Sequence, residues 1–272
     1  MFPRDLRRMS HVLTLGYGIR PSSLFAHALS SSTSLSSGVI HILFDSTNVW
    51  HKDIQYHPEQ SARIDACINA LQQYKTESID DFNSNQLNIV DVAPDITAGI
   101  STSKGNTNII HQPFTEKELE YARSILVKTH SEEYVNNFEQ RCRSSKQKRI
   151  DDGKDPLGFV GYIDEDTYLT TETYDVCLRA TCAWIQSVDL VLQPESKIGD
   201  ANNEKKKTTA SFALTRPPGH HACRTLSNGF CIFNFAAAAA IHALQSKQAS
   251  KISILDWDVH YGEQSGYLMI FV

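Results

Sequence analysis

The sequence predicts one α/β domain, in which a mainly parallel sheet is covered by helices on both faces. Two observations predict it: strand-like and helix-like segments alternate along the chain, and the first strand-like segment, at 39–44, is a short and mainly apolar run. A strand that is buried on both faces shows such a run because neither face meets water. A chain of 272 residues with 41% hydrophobic residues is long enough for one large core.

Local signals place the elements. The run at 39–44 ends in Asp45, which is typical of a buried strand, and Thr115 with Glu118 has the spacing of a capping box at a helix start. Ser131 has the residue type of a helix N-cap. The predicted elements are a strand at 39–44, a helix at 57–74, a strand at 87–92, helices opening at 115 and 131, a helix at 170–192, a strand at 211–215, a helix at 233–244 and a strand at 251–257.

Composition excludes some classes of function. The net charge is -5 and no long basic stripe is present, so direct binding of nucleic acid is not expected. No apolar run approaches the roughly 20 residues that cross a bilayer, so no membrane partner is expected. The six cysteines form no Cys-x-x-Cys pair, which favours free thiols over a zinc knuckle or a redox motif.

Residues 1–38 differ from the rest of the chain. They contain four arginines, many serines and only one acidic residue, Asp5, which is the composition of a mitochondrial or plastid transit peptide. A disordered leader that carries no targeting signal can have the same composition. Without import, the nucleus or cytoplasm is the expected location.

Two predicted strands end in ionisable residues. In open parallel sheets, ligands bind at the carboxyl ends of strands. Asp258 and His260 follow the last predicted strand, and residues two apart in extended chain point to the same side, so both can ligate one metal ion. A catalytic zinc needs about three protein ligands, so this pair is an incomplete site. The alternative is that Asp258 and His260 only hydrogen-bond each other.

His220 and His221 follow the strand at 211–215 through a Pro-Pro-Gly turn. Such a turn fixes the backbone and can hold a catalytic side chain in place. Histidine titrates near neutral pH and is therefore suited to general base catalysis. Asp256 supplies an acid that can orient a histidine, and its side chain is expected on the same side of the strand as Asp258.

The order and spacing of these residues resemble the histone deacetylase family of class II type, in the arginase/deacetylase superfamily. Weaker matches lie at 57–64 and 129–135, and the resemblance covers about residues 39–265, with 266–272 as an unrelated tail. It implies an arginase/deacetylase-like three-layer α/β/α fold that is incomplete in this chain. The matching segments are Arg-Pro-Pro-Gly-His-His-Ala at 216–222, Gly-Phe-Cys-Ile-Phe-Asn at 229–234 and Asp-Trp-Asp-Val-His-Tyr-Gly at 256–262.

The resemblance also implies a role for each matching residue. Asp258 and His260 would bind Zn²⁺, His221 would be the general base and His220 its electrostatic companion. Gly229 and Phe230 would line a channel for an acetyl-lysine side chain. Asp256 would support His220 and, together with Asp258 and His260, would contribute to a structural K⁺ site. The implied reaction is hydrolysis of acetyl-lysine in histones or other acetylated proteins.

The chain departs from the family pattern near its end. Glu263 stands where the family usually has Asn or Asp, and it would support His221 through a side chain that is one methylene longer. No resemblance is visible from Gln264 onward. The family's third zinc ligand, an aspartate, and its transition-state tyrosine would lie further along the chain. We therefore expect a truncated product that is inactive alone. The alternatives are a non-catalytic fragment that binds partners, or a deacetylase of acetylpolyamines or other small amides.

Overall fold

The structure is a computed structural model that describes residues 11–14, 39–77, 87–94, 109–192, 208–256 and 258–260. A 3₁₀ helix at Ser46–Trp50 follows the second strand. The other elements within these ranges are β1 (His11–Thr14), β2 (Val39–Phe44), α1 (Ala62–Glu77), β3 (Leu87–Asp91), β4 (Ile109–His111), α2 (Glu116–Thr129), α3 (Glu132–Asp151), β5 (Phe159–Tyr162), β6 (Tyr168–Thr170), α4 (Thr173–Leu192), β7 (Thr208–Leu214), α5 (Phe235–Gln245) and β8 (Ser253–Asp256).

A parallel four-stranded sheet in the order β4-β3-β2-β7 forms the centre of the domain. Every residue of β2 is buried, including His41, as its mainly apolar run predicts. The sheet has its carboxyl ends at one edge, where the Ser46 N–H after β2 donates to Asp91 Oδ1 at the end of β3, 3.1 Å away. The predicted α/β class with a parallel sheet is therefore confirmed.

Helices cover both faces of this sheet. On one face Ile42 packs against Ile64 and Ile68 of α1. On the other face Leu43 and Val90 join a core to which α2, α4 and α5 contribute. Neighbouring residues of β2 thus face opposite layers, which gives the three-layer α/β/α arrangement.

The helix starts follow the sequence signals where a cap is present. The Thr115 hydroxyl accepts from the Glu118 N–H, and the Glu118 carboxylate accepts from the Thr115 N–H at 2.8 Å, which confirms the predicted capping box. Ser131 caps α3 in the same way, through the Tyr134 N–H. Each cap satisfies donors that would otherwise lack a partner in the first helical turn.

Several predicted bounds were wrong by a few residues. The helix predicted from residue 57 begins at Ala62, because residues 57–60 form a loop held by side-chain contacts. The helix predicted from residue 170 begins at Thr173, since Thr170 ends β6. The strands β4, β5 and β6 were not predicted; each has three or four residues, too few for a periodic pattern.

The strand β8 pairs in parallel with β1, which lies inside the predicted leader at 1–38. Within the described ranges β7 pairs with β2 alone, so the third and fourth predicted strands are not neighbours. Trp257, the last residue of the predicted fourth strand, lies outside the described residues. The assignment of 1–38 as a leader and of 266–272 as a tail stays a prediction. Over the described residues, no helix has the length and apolar character required to span a bilayer.

Candidate active site

The turn after β7 carries His220 and His221 and lies directly on the start of α5. The Arg216–Pro217 peptide bond is cis. A Cβ atom at Gly219 would lie 2.7 Å from the Phe233 carbonyl oxygen and 2.9 Å from the Phe235 ring. Only glycine allows this close approach, so the Pro-Pro-Gly sequence determines how near the histidines lie to the helix.

His220 contacts the acid that the sequence offered as its support. Its Nδ1 lies 3.0 Å from Asp256 Oδ2 at the end of β8, and both side chains are mostly buried. A carboxylate on one ring nitrogen fixes the orientation and the tautomer of an imidazole. The ring centroids of His220 and His221 are 4.0 Å apart, so a well-oriented His220 also restricts His221.

A tight two-residue turn faces the His221 ring. Asn228 and Cys231 exchange both backbone hydrogen bonds, at 3.1 and 2.9 Å, and the residues between them are left-handed, with φ of 52° at Gly229 and 68° at Phe230. Positive φ at both central positions is typical of a type I′ turn. A Cβ atom at Gly229 would lie 2.6 Å from His221 Cδ2, so glycine is required for the ring to occupy this position.

Phe230 occupies a backbone conformation that is unfavourable for a large side chain, at a cost of about 1–2 kcal/mol. Its N–H donates to the Thr167 hydroxyl at 2.9 Å, and its ring packs edge-on against His57 with centroids 4.6 Å apart. These contacts fix Phe230, and with it the turn that faces His221. Gly229 therefore lies against His221, and Phe230 is the next residue of the same turn. The assignment of both residues to a channel stays a prediction.

Asp258 and His260 contact each other. The Asp258 carboxylate Oδ1 lies 2.9 Å from His260 Nδ1 and also accepts from the His260 N–H at 2.8 Å. The Asp258 side chain is fully buried, whereas that of His260 is 69% exposed. The rings of His260 and His221 are 6.2 Å apart, so the pair lies beside the histidine turn.

As donors for zinc, Asp258 and His260 have suitable chemistry but are too few. A catalytic zinc takes about three protein ligands. No group of three His, Cys, Asp or Glu side chains able to hold a metal occurs among the described residues. The hydrogen bond between Asp258 and His260 is also what the alternative predicts, so the assignment of both residues to zinc stays a prediction. Glu263 lies outside the described residues, and the K⁺ site also stays a prediction.

His130 fixes the loop that connects the histidine turn to the turn at Gly229 and Phe230, and also the start of α5. Burial lowers its pKa to about 4, so it is neutral at neutral pH. Its Nδ1 donates to the Cys223 carbonyl at 2.8 Å and its Nε2 accepts from the Asn234 N–H at 3.0 Å. This buried histidine therefore has a structural function, although the sequence alone marks it only as part of a weak motif match.

Sequence reasoning missed four buried residues that hold the site residues in place. Arg216 and Glu59 form a buried ion pair, and Thr167 and Tyr168 connect it to Phe230. Arg216 and Glu59 stand within matching motifs, which was the available signal for them. Thr167 and Tyr168 precede a helix in an ordinary β-branched and aromatic segment, which carries no comparable signal.

Comparison with known proteins identifies the family. A histone deacetylase domain profile matches residues 57–267. The chain is 28% identical to chloroplastic histone deacetylase 10 of rice over 82% of this chain and 41% of that protein. It is 33% identical to polyamine deacetylase HDAC10 of zebrafish over 51% of this chain and 18% of that protein.

A solved structure described as the HDA15 HD domain superposes with a TM-score of 0.52 at 22% identity, covering 83% of this chain and 49% of that one. At this level of identity the match supports the fold alone. The chain spans about half or less of the length of each of these relatives.

The close approach of His221 to Gly229 gives a test of the site geometry. Gly229→Ala should lower the free energy of unfolding by about 2–3 kcal/mol, because left-handed backbone strain of about 1 kcal/mol adds to the overlap of the new methyl group with His221. Urea denaturation measures the loss, and a crystal structure of the variant should show the His221 ring displaced.

Gly153→Ala is the matched control. Gly153 has a similar φ of 68°, but a Cβ atom there would meet nothing within 4 Å, so only the backbone strain remains. Equal losses in the two variants, with an unmoved His221 ring, would contradict the proposed contact.

Proposed function

Because the chain belongs to the histone deacetylase family, we propose that it carries part of the active site of a zinc-dependent amide hydrolase that removes acetyl groups from lysine side chains. The observation that supports this most is the packing of His221 between His220 and Gly229, with His220 in turn held by Asp256. Asp256 thus holds His220 directly, and His220 in turn limits the orientations of the neighbouring ring of His221, the proposed base.

In this proposal Asp258 and His260 hold the zinc ion together with a ligand from outside the described residues. The ion, when bound, would polarise the acetyl carbonyl and lower the pKa of the attacking water. The contact between the two side chains places a carboxylate and an imidazole on one side of His221.

The residues of the chain itself have separate tasks in the reaction. His221 takes a proton from the water as the water oxygen bonds to the acetyl carbonyl carbon. The C–N bond then breaks, and His221 returns this proton to the leaving amine. Asp256 keeps His220 oriented, and His220 restricts the ring of His221. Gly229 and Phe230 form the wall along which the acetylated side chain reaches these groups. The products are acetate and the free amine.

The substrate class has two candidates. The acetyl-lysine of histones or other proteins is the first, because relatives with this family domain include histone deacetylases. Acetylpolyamines are the second, because the zebrafish relative is a polyamine deacetylase. Both substrates present an acetylated amine on a flexible alkyl chain, so the channel residues alone do not discriminate between them.

A substitution at the base position tests the proposal. A fusion of this chain with the C-terminal part of the rice relative should hydrolyse an acetyl-lysine peptide in the presence of Zn²⁺. His221→Ala should lower turnover by about 10²- to 10⁴-fold, which is the usual contribution of a general base. Its zinc content, measured by metal analysis, should not change. His260→Ala is the matched variant and should lose the zinc as well as the activity.

Undiminished turnover in His221→Ala, or loss of its zinc, would show that the roles are wrongly assigned. Acetyl-lysine peptide and an acetylated spermidine are assayed side by side, so the preferred substrate is read from the ratio of kcat/KM values.

Plastid import is part of the proposal, because residues 1–38 are rich in arginine and serine and the rice relative is described as chloroplastic. A fluorescent protein fused behind residues 1–38 should accumulate in plastids of plant cells. A fusion that stays diffuse in the cytosol would exclude this location. A fusion in which the four arginines are replaced by glutamine is the control and should not be imported.

A further inference from the structure

The guanidinium of Arg216 lies at the centre of a buried polar cluster outside the residues assigned to the reaction. Its side chain is only 4% exposed and that of Glu59 only 1%. Nε donates to Glu59 Oε1 at 2.6 Å and Nη2 to Glu59 Oε2 at 2.8 Å, a two-pronged contact between planar groups. Nη1 donates to the Asn48 and His51 carbonyls at 2.9 and 2.8 Å. All three nitrogens of the guanidinium are therefore fixed.

The cluster extends to β6 through Tyr168. The Tyr168 hydroxyl accepts from Arg216 Nη2 at 3.1 Å and donates to Glu59 Oε2 at 2.9 Å. The Tyr168 ring stacks on His51 with centroids 4.4 Å apart and an interplanar angle of 9°. Tyr168 is thus held by its hydroxyl and by its ring, and the position of the chain at the start of β6 follows from both.

The residue before Tyr168 connects this cluster to the turn that faces His221. The Thr167 hydroxyl accepts the N–H of Phe230 at 2.9 Å, and Thr167 is buried. The His57 ring packs edge-on against both Tyr168, at 4.8 Å, and Phe230, at 4.6 Å. A shift of Tyr168 would therefore also displace the left-handed turn at Gly229 and Phe230.

In the other direction, Arg216 is joined covalently to the turn that carries His220 and His221. Two prolines and Gly219, which has no room for a side chain, separate Arg216 from the histidines, so little freedom is left between them. One guanidinium is consequently connected to both sides of the candidate channel, to His221 through the chain and to Phe230 through Tyr168 and Thr167.

We infer that Arg216, Glu59, Tyr168 and Thr167 form a positioning unit that sets Phe230 and His221 at a fixed separation on the two sides of the candidate channel. None of the four touches the reacting atoms; they act through the residues they hold. The inference rests on the proposed function for the meaning of the channel. The coupling itself is a property of the folded chain and can be measured without any activity.

A second buried ion pair, Arg179 with Asp45, is not connected to the candidate channel. Arg179 Nε donates to Asp45 Oδ2 at 2.6 Å, the same distance as in the Arg216–Glu59 pair, and Arg179 is also buried. Its Nη2 donates to the Val92 carbonyl at 3.1 Å. This pair ties α4 to the edge of the sheet, and neither partner precedes or contacts a site residue. Arg179 is therefore the matched control for Arg216.

The test is amide hydrogen exchange of the 272-residue chain, read at the N–H of Phe230 by NMR. Thr167→Val removes the acceptor of this N–H and should accelerate its exchange at least tenfold, whereas Thr167→Ser keeps the hydroxyl and should restore protection. Arg216→Lys keeps the charge but loses the two-pronged contact with Glu59. It should accelerate exchange of the same N–H at least tenfold, although residue 216 does not touch Phe230. Arg179→Lys should leave it unchanged relative to the core amides of β2.

Exchange at Phe230 that is unaffected by Arg216→Lys, or that rises equally in Arg179→Lys, would overturn the inference. If Arg216→Lys fails to fold, Tyr168→Phe removes only the hydroxyl link and must show the same acceleration. A protected Phe230 N–H in Tyr168→Phe would likewise overturn it. A failure of the deacetylase assay alone would leave this result standing and would count against the proposed function.

Discussion

The architecture of the site depends on one buried contact, the pair formed by Arg216 and Glu59. A buried guanidinium and carboxylate are costly to desolvate unless all their hydrogen bonds are made. Burial on its own raises the pKa of the Glu59 carboxyl, but hydrogen bonds from His51 and Arg216 outweigh it and hold this pKa well below its usual range. The carboxylate therefore stays charged, and the loops that satisfy the pair cannot move independently of it.

The remaining features of the site follow from this constraint together with close backbone approaches. The cluster fixes the end of β7, and Gly219 lets the histidine turn lie on α5. Gly229 then lets the His221 ring lie against the opposite turn. Asp256, at the end of β8, holds His220 from a separate pair of strands. Groups far apart in sequence are thus brought together at the carboxyl ends of strands, as expected for an α/β sheet.

Much of the fold could be predicted from the sequence because its central strands are apolar runs and its helices have recognisable caps. The strand β2 and the capping box at Thr115 are examples. The contact between His220 and Asp256 could be anticipated because His220 follows the end of one predicted strand and Asp256 lies near the end of another. The partner of Arg216 could not, since Glu59 lies in a loop 157 residues away and local pattern carries no information about such a pairing. The left-handed conformation of Phe230 could not be predicted either, because local backbone preferences favour glycine at such a position.

A double-mutant cycle on Arg216 and Glu59 tests this dependence most directly. Arg216→Met, Glu59→Met and the double variant are compared with the original chain by urea denaturation, with the free energy of unfolding as the measured quantity. Each single substitution leaves a buried charge without its two-pronged partner and should cost about 3–5 kcal/mol. Asp53, whose Oδ1 lies 2.9 Å from Arg216 Nη2, is unchanged in all the variants. The double variant removes both charges, so its cost should fall short of the sum by at least about 2 kcal/mol. Costs that add to within about 0.5 kcal/mol would contradict the central role of this pair.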